Sequence, residues 1–123
     1  MNILATNLMG LGVGGAALAN ALGVDIALAK TATGSAQGDA YAITTALTQF
    51  TTTAASTGAK LPDATPGQVC IVANNGANAL SVYPFSGDKI NNGSTDAAFS
   101  VAAGKTALFV CVSTAAWFSI LSA

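Results

Sequence analysis

The chain has 123 residues, of which 52% are hydrophobic and only 7% are charged, with four Lys, five Asp and no Arg, Glu or His. This length predicts one small domain. Without Arg and with a net charge of -1, the chain lacks the basic patch that a phosphate backbone requires, which argues against nucleic-acid binding. Without His it lacks the usual general base and the commonest metal ligand. The composition therefore predicts a structural or assembly protein with no catalytic residue, cofactor or metal.

Small residues supply much of the apolar fraction, because the aromatic side chains amount to only 7% of the chain. Burial of Ala removes little apolar area from water, so a monomer of this composition would be only marginally stable. Association with other subunits stabilises such a domain, and the low charge fits a surface that is covered. We therefore expect an oligomer.

Residues 1–30 form a Gly/Ala-rich segment, which we interpret as an extended N-terminal arm. No positive charge precedes the apolar run at 8–22, as a signal peptide would require, and Asn20 with several glycines does not suit a membrane-spanning helix. The arm is expected to pair with the sheet edge of a neighbouring subunit; packing on its own domain is the alternative. Its predicted subunit contacts are Leu8, Met9, Leu11, Val13, Leu18 and Leu22.

A glycine motif lies within this arm. The stretch 10–15 satisfies G-x-G-x-x-G, the pattern of dinucleotide-binding turns. Only residues 2–6 could form the strand that must precede it, and Lys30 and Thr31 stand where an acidic ribose ligand is required. We therefore predict no nucleotide cofactor.

From residue 31 onward, short β-prone runs alternate with turn residues. The continuous apolar runs at 68–73 and 106–112 predict strands buried on both faces, and the Asn/Gly-rich stretch 74–78 predicts a hairpin into the strand at 80–83. The fold class predicted for residues 31–123 is all-β, a small β-sandwich or barrel-like domain, with the extended N-terminal arm preceding it.

Two pairs of residues are candidates for a disulfide, a metal site or a catalytic site. Cys70 and Cys111 lie in the two most apolar predicted strands, where free core thiols are favoured over a disulfide. Asp88 and Asp96 could bind a hard cation or act as a glycosidase pair. Their spacing matches no EF-hand, so a solvated turn is the favoured interpretation.

The aromatic side chains are predicted to form the core, with Trp117, Phe118 and Phe109 at its centre, rather than a sugar-binding platform. Phe85 differs from them because it follows Pro84 in a turn. We expect the Phe85 ring to be exposed and to contact a partner subunit.

The sequence resembles a β-rich domain found in small capsid-associated and fibre-associated structural proteins of tailed bacteriophages. The resemblance covers residues 31–123 and rests on loosely patterned turns and strands at 60–67, 69–75, 76–84, 90–91, 102–105 and 117–118. It implies a virion component, either a capsid decoration (cement) protein or a tail-fibre module, and such proteins are commonly homotrimers.

Three functions follow from these observations as hypotheses. The first is a non-enzymatic decoration protein on the capsid surface, assembled in the host cytoplasm, that bridges subunits of the major capsid protein. The second is a tail-fibre, spike or receptor-binding module whose loops at 83–94 bind a host surface glycan. The third is a secreted bacterial adhesin or lectin-like domain, which requires cleavage near Ala29.

Overall fold

The computed structural model describes residues 25–123. The six arm residues predicted to contact a neighbouring subunit, from Leu8 to Leu22, lie outside the described residues. Strands and connecting turns and loops make up the described part of the chain, in which no helix occurs, and this confirms the all-β prediction. The strands are β1 (Ile26–Thr31), β2 (Tyr41–Ala42), β3 (Leu47–Thr52), β4 (Gly58–Lys60), β5 (Val69–Asn74), β6 (Leu80–Tyr83), β7 (Lys89–Ile90), β8 (Phe99–Val101), β9 (Thr106–Ser113) and β10 (Ala116–Leu121).

From β1 to β9 the chain alternates between two sheets, and β10 then pairs with β9 in the same sheet. One sheet has six strands in the order β1-β3-β5-β9-β10-β7, and the other has four in the order β2-β4-β6-β8. Strands β1, β3 and β5 are parallel, as are β2, β4 and β6. The first six strands therefore stack as the coils of a short solenoid. Strands β8 and β9 then pair antiparallel with β6 and β5. The predicted β-sandwich or barrel is confirmed only as far as the all-β class.

One hydrophobic core contains side chains from both sheets. Trp117, Phe109 and Phe50 are its largest fully buried members, which confirms the core prediction for Trp117 and Phe109. Phe109 meets Phe99 of β8 edge to face at 5.8 Å between ring centroids, and Phe50 meets Tyr41 of β2 in the same way at 5.2 Å. Because each pair takes one ring from each sheet, these contacts join the two sheets.

A buried amide also joins the two sheets. Asn74, at the end of β5, donates from Nδ2 to the carbonyl oxygens of Val101 at 2.8 Å and Asn78 at 2.9 Å. Its Oδ1 accepts from the Gly76 N–H at 3.1 Å and the Thr53 hydroxyl at 3.3 Å. All the polar atoms of this side chain therefore have partners, as burial requires.

The predicted hairpin at 74–78 is wrong, because β5 and β6 lie in different sheets. The segment is a corner of the solenoid that carries the chain from one sheet to the other. Its Asn and Gly residues, which predicted a tight turn, instead supply the hydrogen bonds around Asn74. Hairpins and solenoid corners use the same turn-forming residues, so composition does not separate them.

Strand β1 begins at Ile26, inside the range predicted as an arm. It pairs in parallel with β3, and the carbonyl oxygen of Asp25 accepts from the Leu47 N–H at 3.1 Å. Residues 26–30 therefore belong to the six-stranded sheet. The arm prediction for residues 1–24 lies outside the described part of the chain.

Candidate interaction surface

The outer face of the six-stranded sheet carries a continuous line of large aliphatic side chains. Ile26 pairs with Leu47, Leu47 with Ile71, Ile71 with Leu108, and Leu108 with Ile120. Directly paired residues share a face of the sheet, so these five side chains cross five adjacent strands. We call this line the long row, and its members are Ile26, Leu47, Ile71, Leu108 and Ile120.

A second line lies beside the long row. Val69 of β5 pairs with Val110 of β9, and Val110 pairs with Phe118 of β10. We call these three residues the short row, and the two rows together the apolar face. Neither row contains a charged residue.

The apolar face is open to solvent in the described part of the chain. Ile26 and Ile120, at the two ends of the long row, are 55% and 67% exposed, and Phe118 is 43% exposed. Monomeric proteins rarely expose large contiguous apolar patches, so such a patch marks an interaction site. Removing the exposed apolar area of these side chains from water is favourable by about 25 cal/mol per Å².

This exposure corrects the prediction that β5 and β9 are buried on both faces. Each strand alternates, with Cys70 and Val72 or Ala107 and Phe109 buried, while Val69 and its neighbours on the other face are half-buried or exposed. The sequence shows that both faces of these strands are apolar. The described chain covers only the inner one.

Phe118 was predicted in the core and is on the apolar face instead. It follows Trp117, which fills the core, and neighbouring residues of a strand point to opposite faces. The two aromatic side chains cannot both be buried between the sheets. The core prediction is therefore wrong for Phe118.

The outer face of the four-stranded sheet has a different chemistry. Ser81 of β6 pairs with Ser100 of β8 and with Gly58 of β4. The ring of Tyr83 lies over Gly58, where an added Cβ would come within 2.9 Å of it. The Tyr83 hydroxyl donates to the carbonyl oxygen of Ser35 at 3.4 Å. The outer face of the four-stranded sheet therefore presents hydroxyl groups and a hydrogen-bonded tyrosine ring, where the six-stranded sheet presents aliphatic side chains.

Phe85 lies in the turn after β6 and is 37% exposed, as predicted from its position after Pro84. The ammonium group of Lys60 lies 6.0 Å from the centre of its ring. This is the outer limit of a cation–π contact. The predicted contact of Phe85 with a partner subunit stays a prediction.

The two carboxylates considered as a cation site accept hydrogen bonds from other parts of the chain. The Oδ2 atom of Asp88 accepts from the Ala64 N–H at 3.3 Å. Oδ1 of Asp96 accepts from Gln37 Nε2 at 3.0 Å and from the Gly87 N–H at 2.8 Å. Residues 25–123 contain no group of three His, Cys, Asp or Glu that could hold a metal ion.

The environments of these two carboxyl groups shift their pKa values in opposite directions. Asp88 is only 5% exposed, so the solvated-turn interpretation is wrong for it, and this burial raises its pKa. Hydrogen bonds from Gln37 and Gly87 lower the pKa of Asp96. The ionised form of Asp88 is thus disfavoured, whereas the ionised form of Asp96 is stabilised.

Cys70 and Cys111 are buried and unbridged. Burial, with a smaller contribution from Cys111, raises the pKa of the Cys70 thiol to about 11. The Cys111 thiol donates to the carbonyl oxygen of Ser113 at 3.0 Å. A thiol with a raised pKa is a poor nucleophile, which fits the interpretation of these residues as core thiols.

No residue of the long row is among the subunit contacts predicted from the sequence. The apolar runs of β9 and β10 show no polar alternation from which an outer face could be identified. The feature of the sequence that indicates this surface is the second apolar face of each run. From the sequence, that face was interpreted as buried within the same chain.

Comparison of the chain with protein-family models, with curated proteins and with solved structures finds no match. Among residues 25–123, no helix is long and apolar enough to cross a membrane.

Proposed function

We propose that this protein is a non-enzymatic structural subunit of a bacteriophage virion, a decoration protein that stabilises the head by bridging capsid subunits. The observation that carries the assembly role is the apolar face, which needs a protein surface over it. The phage assignment is supported by the resemblance of residues 31–123 to virion structural proteins. A homotrimer on the capsid surface, in contact with the major capsid protein, is the proposed arrangement.

The mechanism is mechanical. Apolar side chains from the long and short rows are removed from water when the subunit binds, and this gain opposes separation of the subunits. The scarcity of charge in the whole chain, at 7%, reduces the cost of desolvating the remaining surface. Binding of this kind requires neither a cofactor nor a metal.

A charge on the apolar face tests the assembly role. We expect Ile120→Lys to weaken self-association or particle binding by at least about tenfold, because a buried ammonium group without a partner costs more than 1.4 kcal/mol. Ser100→Lys is the matched control, since Ser100 is exposed on the outer face of the four-stranded sheet. Sedimentation velocity of both full-length variants gives the association state. Equal association of the Ile120→Lys variant and the unsubstituted protein would refute this role.

The position of the protein in the particle tests the decoration role. We expect many copies at icosahedral positions on the head, measured by quantitative mass spectrometry of purified virions and located by cryo-electron microscopy. A few copies at the tail would instead establish the fibre module. Absence from virions would refute the proposal.

The tail-fibre or receptor-binding module is the second candidate. It is favoured by the half-exposed Phe85 ring beside Lys60, because aromatic rings with adjacent polar groups bind sugars through their faces. Phe85→Ala would abolish binding to host cells in this case and would leave particle assembly unchanged. A decoration protein shows no loss of host binding with this variant.

A further inference from the structure

The apolar face includes several large side chains that the described chain leaves exposed, among them Ile26, Phe118 and Ile120. It spans five strands, from β1 to β10, which is about 19 Å at the usual spacing of neighbouring strands. Its occupant must therefore be an uncharged apolar surface or segment of at least that length. We infer that the occupant is residues 1–24 of a second copy of this chain; this inference rests on the proposed assembly function and names the partner.

Composition matches this segment to the face. Residues 1–24 contain no Asp or Lys, and the first charged residue of the chain is Asp25. The apolar side chains of the segment include Leu8, Leu11, Val13 and Leu18, separated by Gly and Ala. Small residues between larger ones let a segment approach a sheet closely, while the larger ones contact the long and short rows. An uncharged segment also avoids the cost of burying a charge against an aliphatic face.

Residues 1–24 are long enough to cross the apolar face of a second copy. A segment of 24 residues spans up to about 80 Å when fully extended, several times the width of the apolar face. About six extended residues suffice to cross from β1 to β10. The rest of the segment can connect one subunit to the next.

The direction of the chain at Asp25 favours a second copy over the same copy. The carbonyl oxygen of Asp25 accepts from the Leu47 N–H, so Asp25 continues the β1–β3 ladder by one position. At Asp25 the described chain therefore runs along the strand axis, within the plane of the sheet, and not over its outer face. For residues 1–24 to cover the outer face of their own subunit, the chain would have to reverse beside Asp25, whereas covering a second copy requires no such reversal.

Disulfide trapping between two distinguishable full-length chains tests the inference. One chain carries Leu11→Cys, the other carries Ile120→Cys and a mass tag, and the mixture is oxidised. We expect at least about tenfold more mixed-chain disulfide than with Ser100→Cys in place of Ile120→Cys, because binding raises the effective concentration of the two thiols. The native Cys70 and Cys111 are buried, and a mixture of unsubstituted chains measures their background.

Two results would overturn the inference. The first is a disulfide within one chain when Leu11→Cys and Ile120→Cys are combined and the protein is diluted, which shows that the segment covers its own face. The second is no excess of mixed-chain disulfide while Ile120→Lys still weakens assembly. In that second case another partner occupies the face and the proposed function survives. Failure of Ile120→Lys to change assembly refutes the proposed function itself.

Discussion

The two sheets share one core but present different outer faces. On the six-stranded sheet, aliphatic side chains from Ile26 to Ile120 line the outer face, so both faces of its central strands are apolar. On the four-stranded sheet, Ser81, Ser100 and Tyr83 take the equivalent outward positions. The inner faces of the two sheets form the hydrophobic core that stabilises the fold. The difference between the outer faces is the basis for proposing that the six-stranded sheet, and not the four-stranded one, contacts another protein.

A comparison of two Phe side chains in the six-stranded sheet should give the largest effect. Phe109→Ala is expected to lower the free energy of unfolding by about 3–5 kcal/mol, because it leaves a cavity between the sheets. Phe118→Ala, on the apolar face, should lower it by less than about 1 kcal/mol in the monomer. Urea denaturation at low protein concentration measures both. Equal losses would show that the two faces are equally buried in the monomer and would break the comparison.

The connection between the sheets is tested at Asn74. Asn74→Ala removes the donor to the carbonyl oxygen of Val101 in the four-stranded sheet. We expect a loss of about 2–3 kcal/mol in the free energy of unfolding, because a buried acceptor is left without a partner. Asn75→Ala is the control, since Asn75 is exposed and its loss should cost about 0.5 kcal/mol or less. Similar effects of the two variants would contradict a linking role for Asn74.

A tight approach on the four-stranded sheet gives a smaller effect. Gly58→Ala would place its Cβ 2.8 Å from the carbonyl oxygen of Ser81 and 2.9 Å from the Tyr83 ring. Overpacking of this kind lowers the free energy of unfolding by about 1–3 kcal/mol. At Gly38 an added Cβ meets no atom within 4 Å, so thermal unfolding of Gly38→Ala should match that of the unsubstituted protein. A Gly58→Ala variant as stable as the unsubstituted protein would contradict the close approach of the Ser81 carbonyl oxygen and the Tyr83 ring to Gly58.

The smallest effect concerns pH and the two carboxyl groups on either side of β7 in the chain. The folded-state pKa of Asp88 is raised above its ordinary value of 3.8. The folded state therefore binds more protons than the unfolded state just above pH 3.8, so this group's contribution to stability falls as the pH rises through that window. Asp88→Asn should remove this fall in a series of denaturation curves.

Asp96→Asn provides the opposite control. The pKa of Asp96 is lowered from 3.8 by its hydrogen bonds, so its contribution to stability is complete above pH 3.8 and is lost as the pH falls below that value. The Asp96→Asn variant should lack this loss on acidification. Identical pH profiles for the two variants would contradict the assignment of buried and hydrogen-bonded roles.

Much of the fold follows from the sequence, because local chemistry determines it. The apolar runs at 68–73 and 106–112 predict strands β5 and β9, and the run at 80–83 predicts β6. The pairing of strands does not follow. Residues 74–78 have the composition of a hairpin turn, and only the long-range pairing of β5 with β9 and of β6 with β8 shows that they form a corner.

The interaction surface was only partly predictable for a related reason. An apolar run such as that of β9 predicts that both of its faces are buried. It does not indicate whether the residues that bury the second face belong to the same chain or to another. The position of Phe118 depends on the same alternation, which is fixed only once Trp117 enters the core. The amino-acid sequence specifies whether a face of a strand is apolar. Which residues pack against that face depends on tertiary and quaternary structure.

Strand β7 has a consequence for the size of any assembly. It is two residues long, lies at one edge of the six-stranded sheet beside β10, and exposes Lys89. Short edge strands that carry Lys do not accept a further strand, because the incoming backbone would have to pair along a charged and truncated edge. Within residues 25–123, strand β7 pairs only with Ala116 and Trp117, so it protects this part of the edge of β10. Protection of an edge in this way opposes growth of the sheet into a fibril.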